Sequence, residues 1–262
     1  MKRFFSFIML GLLFGGIWGV GCSQAQDKTF TNSIGMDFVL IPAGKFSNAG
    51  ESTMTKQMVT ISKPFYLGKY EVTQEQWEAV MGKNPSGFNK NPLGLKASTN
   101  PVEKVSWDEV QVFIQKLNQK EGGGKYRLPT AAEWEHAARA GTDTEWFFGK
   151  DPVPLGEYAW FEENSQGSTH PVGQKKANPW GLYDIYGNVT EWVQDWQDWP
   201  PNEEPKGAVT DPTGPESGSH RVSRGGSWES PASICRSAVN LGFEPDSRES
   251  TRGFRLAFSP GQ

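Results

Sequence analysis

Glycine and proline punctuate this chain from end to end, 30 and 18 of them in 262 residues, and they gather in no single linker. Glycine gives up regular backbone cheaply and proline removes a donor, so no long helix or wide regular sheet can dominate such a sequence. The chain reads as one irregular, aromatic-rich body. Its 11 tryptophans and 16 phenylalanines supply large apolar surfaces at short intervals, and its length suits a single globular domain with an ample core.

Three segments carry helix-start chemistry. Thr73 with Gln76, Ser106 with Glu109, and Thr130 with Glu133 each pair a capping hydroxyl with a side chain that can reach back to the cap. In the middle segment Val110, Phe113, Ile114 and Leu117 recur at the spacing of one buried helical face, with Gly122 to stop it; Gly141 would stop the third. Short extended runs are expected over 38–41, 58–61, 65–70 and 254–258. The stretch 198–219, rich in Pro, Gly and acidic residues, reads as one long surface excursion. The expected class is α+β with much loop, in a single domain.

The N-terminus sets the compartment. Lys2 and Arg3 precede an apolar, glycine-broken run over 4–20, and small residues lead into Cys22. The run falls short of the roughly 20 apolar residues of a transmembrane helix and reads as a lipoprotein signal peptide. The organisation expected is a signal peptide over 1–21, lipidation of Cys22, a polar tether over 22–33 and a domain over 34–260. This places the protein in the cell envelope, lipid-anchored and facing the periplasm or the exterior. With Cys22 consumed, Cys235 is the only other cysteine, so no internal disulfide can form and any cysteine chemistry falls to one thiol. The net charge of −4, made more acidic by loss of Lys2 and Arg3, argues against a nucleic-acid partner, which needs clustered Lys and Arg.

The segment YDIYGNVTEW can gather hard oxygen ligands. Asp184, the backbone carbonyls of Gly187 and Val189, and Glu191 converge on one cation if the chain turns at the glycine, as calcium requires. The competing reading is that Asp184 and Glu191 cap a turn and pair with nearby Arg or Lys. His136, His170 and His220 have no metal-ligand spacing. The glycines of RGGS and EGGGK follow no phosphate-binding pattern.

Seven strings occur in order: FVLIPAGKF, LGKYEVTQEQWEAVMG, NPVEKVSWDEV, YRLPTAAEWEHAARAG, THPVGQKKANPWGLYDIYGNVTEWVQDW, VSRGGSWESPASICRSA and GFRLAF. Together they closely resemble the formylglycine-generating enzyme family, also called the sulfatase-modifying factor family. The resemblance implies a compact, loop-rich variant of the C-type lectin-like fold, often supported by calcium, and Asp184, Gly187, Val189 and Glu191 match the family's second calcium site. It also implies copper(I) held by two cysteines five positions apart, which oxidises a sulfatase cysteine to formylglycine with oxygen. Here those two positions fall on Ser230 and Cys235. Serine neither ionises readily nor suits a soft metal, so copper is not expected and no catalytic residue is assigned; Ser227, Ser230, Cys235 and Arg236 stand as remnant positions. Thr190, where the family commonly has an aromatic residue, is a second departure.

From Trp228 to Arg252 the chain mixes aromatic anchors with adaptable small polar residues, the composition of a binding face. Trp228, Glu229, Ser230, Ser233, Asn240, Phe243 and Glu244 would centre it. The layout resembles the C-terminal segment of lectin-fold surface proteins such as the Treponema variable proteins. The expected role is noncatalytic binding of an extracytoplasmic protein or small ligand; the alternative is a copper- and oxygen-dependent formylglycine-generating oxidase or a related oxygen-dependent enzyme.

Overall fold

The computed structural model describes residues 27–48, 57–91, 93–197 and 207–259. Cys22 and the expected signal peptide lie outside the described residues, as do residues 23–26 of the tether.

The chain opens with β1 (Thr29–Thr31), β2 (Asp37–Ile41), β3 (Gly44–Asn48), β4 (Gln57–Ile61) and β5 (Phe65–Gly68). Then follow α1 (Gln74–Met81), α2 (Trp107–Lys120), β6 (Tyr126–Arg127), α3 (Ala131–Arg139) and α4 (Leu155–Tyr158). The C-terminal third is β7 (Thr190–Gln197), β8 (Val209–Thr210), β9 (His220–Arg224), β10 (Asn240–Phe243), β11 (Arg252–Phe254) and β12 (Ala257–Phe258). Three sheets result, ordered β1-β2-β5-β12-β6, β10-β9-β7-β11 and β3-β4-β8. The architecture is mixed α+β and loop-rich.

All three capping boxes form. Thr73, Ser106 and Thr130 each accept from the backbone N–H three residues on, and Gln76, Glu109 and Glu133 reach back to the cap. Val110, Phe113, Ile114 and Leu117 are all buried on α2, as the spacing requires. Helix α3 ends one residue before Gly141, on Ala140 in the left-handed region.

Strand alternation divides the core in two. Along β7, Val193 joins a cluster with Trp134, Leu67, Tyr186 and Cys235, while its neighbour Trp192 joins another with Trp77, Phe113 and Phe254. Adjacent strand residues point to opposite faces, so the sheets lie between two apolar bodies. The same switch occurs at Phe38 and Val39 in β2 and at Tyr66 and Leu67 in β5.

Two expectations are corrected. The excursion after β7 is not all loop: β8 pairs in parallel with β4, Val59 opposite Val209 and Thr60 opposite Thr210. The C-terminal run over 254–258 is two strands in different sheets. Parallel β11 lies beside β7, antiparallel β12 beside β5 and β6, and between them Arg255 is fully buried.

Candidate functional site

The turn after β9 is made by Gly225, Gly226 and Ser227. Gly225 has φ +74, and a Cβ on Gly226 would sit 2.2 Å from the Cys235 sulfur. Glycine is therefore what lets Cys235 pack against its own loop. The loop closes on itself: Ser227 N–H donates to Ser230 Oγ at 3.0 Å, the two hydroxyls lie 2.9 Å apart, and Ser230 N–H returns to the Ser227 carbonyl at 3.0 Å. Cys235 Sγ faces the Ser230 carbonyl at 3.8 Å, and Trp146 Nε1–H donates to the Cys235 carbonyl.

Cys235 is fully buried within the cluster around Trp134. Burial pushes its thiol up to about 12, so at neutral pH it is a protonated, apolar filler. The fold does bring the two expected copper positions together. They do not fit copper(I), because one is a hydroxyl bonded to Ser227 and the other a thiol that keeps its proton. Arg236 points outward, donating from Nε to the Ser233 carbonyl at 2.6 Å and meeting Glu145 at 3.5 Å.

The second cluster is charged. Glu191 on β7 takes Arg255 through both oxygens, from Nε and Nη2, each at 2.7 Å, and also accepts from Trp134 Nε1 at 2.7 Å. Arg255 further donates to the carbonyls of Gly68 and Tyr183. Glu71, which follows β5, accepts from Val189 N–H at 3.0 Å and Asn188 Nδ2 at 2.8 Å. Burial, reinforced by the charges of Asp184 and Glu191, holds its carboxyl well above the usual range. Asp184 sits at φ 57; one oxygen accepts from Gly173 N–H at 2.7 Å and the other, Oδ1, is buried without a partner among the described residues. Burial raises its carboxyl to about 6.

Of the four expected calcium positions, Glu191 is the ion-pair partner of Arg255, with both of its oxygens accepting hydrogen bonds. Asp184 keeps an available oxygen. Among the described residues, no three His, Cys, Asp or Glu side chains stand together to hold a metal ion.

The expected binding face divides into two parts. Trp228, Glu229, Ser230 and Ser233 lie on the loop after β9; Asn240 and Phe243 lie on the edge strand β10, with Glu244 just beyond. Glu229, Ser233, Asn240 and Glu244 are exposed, and Trp228, Ser230 and Phe243 are half-buried. Trp228 is fixed by Nε1–H to the Ser250 carbonyl at 3.0 Å and meets Phe88 edge-on at 5.3 Å. Phe243 carries the Arg252 guanidinium 3.5 Å from its centroid. The two aromatics are thus braced anchors with exposed polar residues around them.

Three contributors were missed from sequence. Phe88 supports Trp228 from the loop after α1. Glu71 lies in LGKYEVTQ, whose string marks an element without revealing a buried acid. Arg224, fully buried, ties Glu135 of α3 at 2.6 Å to the carbonyls of Ser237, Ala238 and Val239. It thereby fixes the segment that leads from Cys235 to β10.

Residues 24–260 match the family described as sulfatase-modifying factor enzyme 1-like domain. Chaperone protein LppX of Paenibacillus barcinonensis is 30% identical, over 96% of this chain and 98% of its own. The formylglycine-generating enzyme of Thermomonospora curvata is 36% identical over 70% of this chain, which spans 64% of that enzyme. Among solved structures, Treponema denticola variable protein 1 superposes with a TM-score of 0.80 at 36% identity, covering 89% of this chain and 99% of its own. PvdO from Pseudomonas aeruginosa superposes at 0.71 with 25% identity, over 89% and 99%.

Proposed function

The chain belongs to the sulfatase-modifying factor enzyme 1-like family, with its loop-rich, lectin-like α+β fold, and within that family we propose that it is a lipid-anchored, noncatalytic binding protein of the cell envelope. The observation that carries this reading is the pair Ser230 and Cys235: a hydroxyl bonded to Ser227 and a buried, protonated thiol stand where the oxidase holds two copper-binding cysteines. The binding surface is the exposed set Glu229, Ser233, Asn240 and Glu244 around the braced Trp228 and Phe243. Similarity to a chaperone along nearly the whole of both chains favours a protein as the ligand. Anchoring rests on the leader and Cys22; among the described residues no helix is long and apolar enough to cross a membrane.

Calcium belongs to this proposal in reduced form. Asp184 Oδ1 and the carbonyls of Gly187 and Val189 would hold it, with Glu191 acting only through Arg255. The support is the buried Asp184 Oδ1, which has no partner among the described residues.

The alternative, an oxidase, is favoured by the 36% identity to a formylglycine-generating enzyme. Purified protein incubated with copper(I), oxygen and a Cys-x-Pro-x-Arg peptide separates the two readings. Unchanged peptide mass is expected, and conversion of its thiol to an aldehyde reverses the ranking. Metabolic lipid labelling that disappears in Cys22→Ser is expected of the anchor, and labelling that persists refutes it.

A further inference from the structure

We propose that the groove where the ends of β4, β5, β6, β8 and β12 meet the first turn of α3 is a second binding site, which takes a small monocarboxylate with an apolar body. It shares no residue with the face around Trp228, the Cys235 loop or the Glu191 centre, so it stands or falls apart from the function assigned to them.

The groove measures about 510 Å³, within the range of small-molecule sites, roughly 300–1,000 Å³. Chain order explains where it lies. Strand β4 ends at Ile61 and β5 begins at Phe65 in a different sheet, so Ser62, Lys63 and Pro64 turn across the seam between the two. Strand β8, parallel to β4, delivers Asp211 and Thr213 to the same seam. Ile61, Phe65 and Leu128, all buried, give the groove an apolar floor.

Above that floor the polar lining has donors to spare. Both of its carboxylates are already met. Glu133 takes Arg127 Nη1 and Nη2, each at 2.6 Å, and the Thr130 N–H at 2.9 Å; Asp211 takes the Ser62 N–H at 2.8 Å and the Ser62 hydroxyl at 2.5 Å. Ser259 Oγ accepts from Arg127 Nε at 3.2 Å and Nη2 at 3.0 Å, and Thr130 Oγ1 accepts from Glu133 N–H at 3.1 Å. Each of these hydroxyls therefore keeps its own hydrogen to give. Among the described residues, exposed Lys63 has no ion-pair partner, and the Gln194 amide and Thr213 hydroxyl have no hydrogen-bond partner.

A ligand that matches this lining brings acceptors at one end and apolar surface at the other. A carboxylate offers two oxygens to the Lys63 ammonium and the hydroxyl donors, in charge-assisted bonds, while its apolar body covers the floor. An amine would give up its hydration to carboxylates whose partners are already in place. The formal charges of the lining cancel, Lys63 and Arg127 against Glu133 and Asp211. One unpaired ammonium therefore suits a single negative charge better than the charge of about two on a phosphate monoester.

The test titrates the purified full chain with octanoate, and with octanol and octylamine, which share the apolar body and change the head. Calorimetry reads the affinity, and backbone amide shifts of isotope-labelled protein read the place. Octanoate is expected to bind saturably, to move the amides of Ser62, Gln194, Thr213 and Ser259, and to bind several-fold tighter than the other two. Lys63→Gln, at an exposed turn position, should leave the fold intact and remove the preference for octanoate over octanol. Thr213→Trp, also exposed, should fill the groove and weaken both. Octanol or octylamine binding as tightly as octanoate overturns the proposal, as does a preference that survives Lys63→Gln, or amide shifts that never saturate or that map elsewhere on the surface.

Discussion

The centre around Glu191 and the loop around Cys235 are both buried and polar, yet they solve burial in opposite ways. Glu191 is met by three donors from Arg255 and Trp134, each at 2.7 Å. Ser227, Ser230 and Cys235 carry no charge and satisfy one another within a single loop. A buried ion pair depends on every partner, whereas a neutral self-bonded loop offers neither a thiolate nor an open ligand position. The first region is scaffold held under strong constraint; the second is a loop closed by its own neutral hydrogen bonds.

The largest expected effect tests the charged region. Arg255→Met leaves Glu191 buried and unmatched, with a loss of about 3–5 kcal/mol of stability measured by denaturant unfolding; a loss below 1 kcal/mol would mean that solvent or a cation already screens the pair. In the neutral loop, Gly226→Ala drives a Cβ to 2.2 Å from Cys235 Sγ and 2.9 Å from the Tyr186 carbonyl, costing about 2–3 kcal/mol. Adding Cys235→Ala should recover part of that loss. Strict additivity in the double-mutant cycle would show that the loop moves away instead of clashing.

Calcium sharpens the contrast from the charged side. If Asp184 Oδ1 holds the ion, chelation lowers stability by about 1–3 kcal/mol when calcium otherwise exceeds its Kd, and Asp184→Ala removes that response. A melting curve indifferent to chelator eliminates the ion.

The smallest effect is a pH slope. Asp195 on β7 accepts from Ala131 N–H at the start of α3, and burial raises its carboxyl from 3.8 to about 6. The folded state then binds the proton more tightly than the unfolded chain. The stability this protonation contributes is present below about pH 4 and is lost as pH rises through about 6. Asp195→Asn should flatten that slope; an unchanged profile would assign the titration elsewhere.

Much of this was legible beforehand because it is local. The capping boxes at Thr73, Ser106 and Thr130 specify helix starts within four residues, and the Ser230 substitution is visible by counting from Gly225. What was not legible depends on long-range pairing. Glu191 lies 64 residues from Arg255, and nothing near either indicates that the carboxylate meets a guanidinium instead of a cation. Strands β9 and β10 carry no clear alternation of their own and are fixed by pairing, with Asn240 opposite Arg224. Phe88 supports Trp228 across a gap in sequence that no motif spans.

The most direct test of the difference between the two regions is a copper(I) titration of the purified protein against a competing chelator, with Ser230→Cys alongside. With one buried protonated thiol, the wild-type chain should hold no stoichiometric copper, and the variant that restores a second sulfur should gain affinity. One tightly held copper(I) per wild-type chain would contradict the noncatalytic reading at its root.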